Sequence, residues 1–232
     1  MDREKSGTAD RIVTTLIRWI DRRQLDPTAA LQEGPLVRFH SATILTTAFE
    51  VAQQAEHHPH VAISTILLAS ASTEAFVQEL AAHIDRCHKA HDWTPNAITP
   101  TLVAAAHAIA TTQGLLPKYL AAAVALGQPF DAGSRVLKDA GRLMELHRCI
   151  MGCASEQRGQ TLTDELAARG IAKARHPDQL PWFRRLQTPA AAAWASRSAR
   201  AIILASLELM PAQAIEPVRA VHALYQGLQS EA

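Results

Sequence analysis

The side chains that could do chemistry in this chain fall into a few small sets. His57, His58 and His60 crowd a connector that also holds Pro59. Three imidazoles could hold a metal if a carboxylate joined them. Adjacent histidines in a connector are more commonly solvent-exposed turn residues, and neither a metal nor a cofactor is expected. Glu74 is a carboxylate inside an otherwise apolar helical stretch, where it should need a partner such as an arginine on a neighbouring helix. It is a candidate binding residue, with a structural role as the plainer reading. Trp182-Phe183 precedes Arg184-Arg185. Trp182, Arg184 and Arg185 could stack on and clamp a nucleotide or RNA base, or simply anchor a loop. His83, Arg86 and His88 could line a cleft near one helix end, but a hydrated terminus is the simpler reading. Cys87, Cys149 and Cys153 are an odd, sparse set and are read as reduced thiols. No Gly-rich phosphate loop, Ser/His/Asp arrangement or HExxH motif is present.

The elements that must position these residues all read as helices. Asp10 can cap a first amphipathic helix, with Ile12, Val13, Leu16, Ile17, Trp19 and Ile20 on its apolar side. A second helix is predicted over 36–56. The third, over 61–89, is apolar or small nearly all round in its first half, as a central core helix would be. Shorter helices follow over 102–110 and 115–126, split by Gln113-Gly114. Ser134 opens a helix to about Cys153, and 161–169 is a short one. The stretch 170–189, with its prolines, reads as a loop. Thr188-Pro189 starts a strong helix to about Leu209, since Pro is tolerated in a first turn. Val218–Leu228 makes a final amphipathic segment. No run shows sustained strand alternation.

These elements imply an all-α chain with an N-terminal helical extension over 1–33, a main helical domain over 34–211 and a helical tail over 212–232. With 232 residues and 48% hydrophobic content, a sizeable core can be buried. Alanine is abundant and aromatics are only 5%, a composition that lets helices approach closely. The net charge of +1 gives no long-range attraction to nucleic acid or membrane, though it allows a local basic patch. The first ten residues lack the apolar core of a signal peptide, and the longest apolar runs look too short to cross a bilayer. The expected location is the cytoplasm, with no membrane partner.

Two segments carry a family resemblance. The first is Ile66-Leu-Leu-Ala-Ser-Ala-Ser-Thr-Glu74-Ala-Phe-Val-Gln-Glu79-Leu. It resembles the HEPN-like helix in which an apolar, small-residue run leads into Glu-Ala-Phe and then a polar residue before Glu. The second is Thr188-Pro189 with Ala193-Trp194-Ala195 and Ile202-Ile203-Leu204, similar to the last core helix of a bacterial branch of that superfamily. Lys118-Tyr119 and Pro129-Phe130-Asp131 lie between them in the matching order. The resemblance spans about Leu36 to Pro211. It implies a HEPN-like helical bundle with a four-helix core plus additional short helices, usually a homodimer. Many members are metal-independent ribonucleases that carry Arg, an adjacent polar residue and a His four to six positions after the Arg. In those, Arg would stabilise phosphate charge and His would move the proton of a ribose 2′-OH.

The motif does not transfer cleanly. In the register set by Leu143 and Leu146, His147 stands at the Arg position, Arg148 at the Asn position and Gly152 where the His belongs. A second register offers Arg142 and His147 as a literal Arg-x4-His, but puts Glu145 where an apolar residue is expected. Arg86 with His91 and Arg169 with His176 fit the loose pattern too, as chance allows. The candidate catalytic set is therefore Arg142, His147 and Arg148. The expectation is a HEPN-like protein with a degenerate site, acting by dimerisation and by binding a protein, nucleotide or RNA partner. The alternative is an RNA-cleaving toxin or phage-defence component that uses Arg142 and His147.

Overall fold

The computed structural model describes residues 40–90, 100–175, 180–210 and 225–227, with the backbone alone at 86, 87, 89 and 90. The chain divides into two units, Met1–Leu36 and Val37–Ala232, and every described residue lies in the second. The amphipathic helix expected from Asp10 lies outside the described residues, as do His91, His176 and most of the 218–228 segment.

Among the described residues the secondary structure is entirely helical. The helices are α1 (His40–Gln54), α2 (Ala62–Ala90), α3 (Pro100–Thr111), α4 (Leu115–Ala125), α5 (Arg135–Ile150), α6 (Glu156–Ala168), α7 (Trp182–Arg185) and α8 (Pro189–Glu208). A 3-10 turn, Pro59–Val61, leads into α2. A last helical turn occupies 225–227.

The core is built on α2, which packs against α1, α8, α3 and α5, while α8 also packs against α1 and α5. Its side chains explain this position. Ile66, Ala69, Phe76 and Leu80 are buried, and the buried polar positions between them are short hydroxyls. Ser72 and Thr73 return their hydroxyls to the carbonyls of Ala69 and Ser70, both at 2.7 Å, so they occupy the interior without needing a partner helix. Ala48 on α1 and Ala195 and Ala199 on α8 are fully buried, as close helix approach requires. By length and composition Pro59–Asp85 would suffice to cross a membrane, although the apolar runs read one by one look too short. Half of its most apolar window is buried against the rest of this chain, the arrangement of a core helix.

Three helix starts are set by hydroxyl caps. Ser134 accepts from Leu137 N, Ser155 from Arg158 N and Thr188 from Ala191 N. Thr188 also donates to the Ile171 carbonyl at 2.6 Å, which ties the start of α8 to the chain leaving α6. Two departures from the sequence expectation lie in this region. α6 begins at Glu156 rather than 161, and the expected loop over 170–189 contains α7. Both have one cause. The Trp182 ring lies on the backbone of α6 at Gly159, where an added Cβ would come within 2.7 Å of the indole. A glycine that reads as a helix breaker is there to admit a ring.

Candidate functional site

The candidate catalytic residues sit on the second half of α5 and face different neighbours. Arg142 Nε donates to Glu165 Oε2 of α6 at 2.8 Å, and its guanidinium is 3.6 Å from Asp139. His147 is half-buried on the side toward α2. Burial lowers its pKa, and the charge of Glu74 partly opposes that shift. Arg148 is exposed and pairs with Glu145 one turn back at 3.2 Å. Five positions along a helix turn a side chain by roughly 140°, so the split between Arg142 and His147 follows from helical geometry.

Gly152, at the His position of the leucine register, ends α5. It adopts φ +74°, with Cys153 N donating to the Arg148 carbonyl and Gly152 N to the Cys149 carbonyl. This is the glycine-terminated helix end in which a residue with a Cβ is strained. Leu143 and Leu146 are both fully buried, as the apolar pattern predicts.

The candidate binding residues need correction. Glu74 is exposed and does not lie in the apolar face; α2 turns it toward the His147 side, and Phe76, Val77 and Leu80 form the buried face instead. The carboxylate of α2 that is embedded in a network is Glu79, which accepts from Ser41 N and, at 2.5 Å, from Ser41 Oγ. Trp182 is buried against Gly159 and cannot stack on a ligand base. Arg185 is buried as well. It donates to Asp164 Oδ1 at 2.6 Å and to the Lys173 carbonyl at 2.9 Å, closing the loop between α6 and α7. The Arg185 guanidinium holds the Asp164 carboxyl low although burial pushes it up. Arg184 alone of the three is exposed, beside the exposed ring of Phe183. His57, His58 and His60 are exposed, and no cluster of three metal-ligating side chains occurs among the described residues. Cys149 is buried, with its thiol pKa raised first by burial, and Cys153 is exposed.

A different constellation comes together where α5 and α8 meet the end of α6. A groove of about 770 Å³ is lined by Arg135, Asp139, Arg169, Trp194, Arg197 and Ser198. At its centre Arg169 forms a two-pronged ion pair with Asp139, with contacts of 2.5 and 2.9 Å. Burial alone would raise the Asp139 carboxyl. The hydrogen bonds and charge of Arg169, helped by Trp194 and Arg135, outweigh burial and hold it below the usual carboxylate range. The same pair raises Arg169. The Trp194 indole N–H is turned toward this carboxylate and helps to hold it ionised. Trp194 is only 4% exposed.

The sequence carries a partial signal for this groove. Arg135, Asp139 and Arg142 stand at i, i+4 and i+7, as a charged ladder on one helix face would. Nothing local marks Arg169 or Arg197 as their neighbours, because both arrive through tertiary packing. Compared with known proteins, the chain matches no family model, no curated sequence and no solved structure.

Proposed function

We propose that this is a HEPN-like helical protein that acts by binding, as a homodimer that engages a nucleotide, RNA or protein partner, and not by cutting RNA. The observation that carries the reading is the divergence of Arg142 and His147. One is engaged by Glu165 of α6 and the other faces α2. A ribonuclease site needs a guanidinium and an imidazole converging on one phosphate. The bundle of α1, α2, α5 and α8 and the glycine that terminates α5 support the same reading.

The test is incubation of the full-length protein with total RNA, wild type beside His147→Ala. Intact RNA in both samples is expected. Cleavage by the wild type that disappears in His147→Ala overturns the proposal and establishes the nuclease.

A further inference from the structure

We infer that the groove between α1 and α8 is the face on which two copies of this chain meet, with Glu56 of each copy opposite Arg197 of the other. The inference deepens the homodimer in the reading above and rests on it.

The groove has a volume of about 590 Å³. Its place follows from the packing of alanines. Ala55, just past α1, is buried in one cluster with Ala192, which sets the end of α1 beside the start of α8. Phe49, Ala52 and Ala193 are half-buried along the floor, and Gln53, Glu56 and Arg197 are exposed at the rim. An apolar centre inside a polar rim is the anatomy of a protein interface.

A small-molecule site is built differently, with a few polar groups converging inside the pocket. Here the inner polar groups are already engaged. Ser196 returns its hydroxyl to the Ala192 carbonyl at 3.0 Å, and Arg200 donates to the carbonyls of Tyr225 and Gln226. What the groove leaves unmatched is apolar surface at its centre and charge at its edge.

The charges select a second copy as the occupant. Glu56 comes from the α1 wall and Arg197 from the α8 wall. Glu56 follows Ala55 directly, whereas Arg197 lies five residues beyond Ala192, about 7 Å along α8 by helical rise. The two are offset along the groove, and neither side chain forms a hydrogen bond or ion pair among the described residues. A two-fold axis through the groove turns that offset into a match. Each carboxylate then meets the partner's guanidinium, and the pair occurs twice. Phe49 gives each copy a bulky ring to seat over the partner's alanines. A strand of nucleic acid would be drawn to Arg197 and repelled by Glu56, and a purely acidic or purely basic partner would match only one of the two. The net charge of +1 puts little repulsion between copies.

The test is the oligomeric state of the full-length protein by sedimentation velocity, with urea midpoints to show that each variant is folded. We expect a dimeric wild type. Glu56→Arg and Arg197→Glu should each weaken dimerisation about a hundredfold, because the two-fold axis repeats each like-charge contact. Both substitutions in one chain should restore the dimer. The two single variants, each monomeric alone, should form a heterodimer when mixed. Arg184→Glu, on exposed α7, should dimerise as the wild type does. A monomeric wild type overturns the proposal. So does a dimer indifferent to either reversal, or a pair of reversals that fails to recover it in one chain and in the mixture. The two readings fail separately. RNA cleavage that depends on His147 removes the binding reading while the dimer measurements stand. A protein that spares RNA and dimerises regardless of these charges loses this interface alone.

Discussion

Asp139 shows how much one side chain can organise. It is nearly buried, it accepts both prongs of Arg169, and Arg135 and Arg142 stand at 3.5 and 3.6 Å. A carboxylate in that position has to be ionised to be tolerated, and its lowered pKa states this in energetic terms. The sign of the linkage follows. The unfolded chain has an ordinary Asp pKa near about 3.9, and the folded state holds the group lower, so the pair stabilises fully above that value. The contribution is lost as the pH falls through the folded pKa. Asp139→Ala should cost about 2 kcal/mol near neutral pH, below the full figure for a buried pair because Arg169 can turn to water. Urea unfolding at pH 7 and at pH 3 checks it. The gap between wild type and variant should narrow at the lower pH, and an equal gap at both would show that the carboxylate contributes by packing alone.

At the level of elements, the chain declared most of its helices. The apolar spacing of Ile66, Phe76 and Leu80 marks α2 as the core helix, and Ser134 and Thr188 mark their helices as caps do. The start of α6 was hidden because Gly159 opposes helix by propensity, and its reason for being there, the Trp182 ring, lies in a later element. Glu74 was misplaced for a related cause. The face of a nearly all-apolar helix that is turned outward is decided by its neighbours, and α2 has neighbours on several sides. The groove between α5 and α8 was the least legible feature, because its arginines come from α5, α8 and the end of α6 and no local pattern joins them. The two glycine roles can be separated by substitution. Gly152→Ala meets no atom within 4 Å and suffers only the positive φ, so it should cost about 1 kcal/mol. Gly159→Ala drives a methyl into the indole and should cost about 2 kcal/mol, with a change in Trp fluorescence that Gly152→Ala lacks. Equal losses without a fluorescence change would mean that Trp182 does not rest on α6.

On the scale of the whole helical unit, the turn at 225–227 is bound into the core by side chains from three helices. Tyr225 is fully buried and meets Phe76 of α2 edge-on, with ring centres 5.7 Å apart. Its hydroxyl shares a 2.6 Å hydrogen bond with Ser41 of α1, which in turn donates to Glu79 of α2. Arg200 of α8 donates to the carbonyls of Tyr225 and Gln226 at 2.8 and 3.2 Å, in the way a cation closes a helix end. Burial lowers the Arg200 pKa and raises that of Tyr225. The ring and the hydroxyl then contribute unequally. Tyr225→Phe keeps the edge-on contact and leaves Ser41 bonded to Glu79, so it should cost about 1 kcal/mol. Tyr225→Ala opens a cavity beside Phe76 and should cost about 4 kcal/mol, enough to loosen the joint between α1, α2 and α8. Urea midpoints rank the two variants, and amide hydrogen exchange localises the effect, with α1 losing protection first. A Tyr225→Ala protein as stable as the wild type would show that the bundle closes without the C-terminal turn.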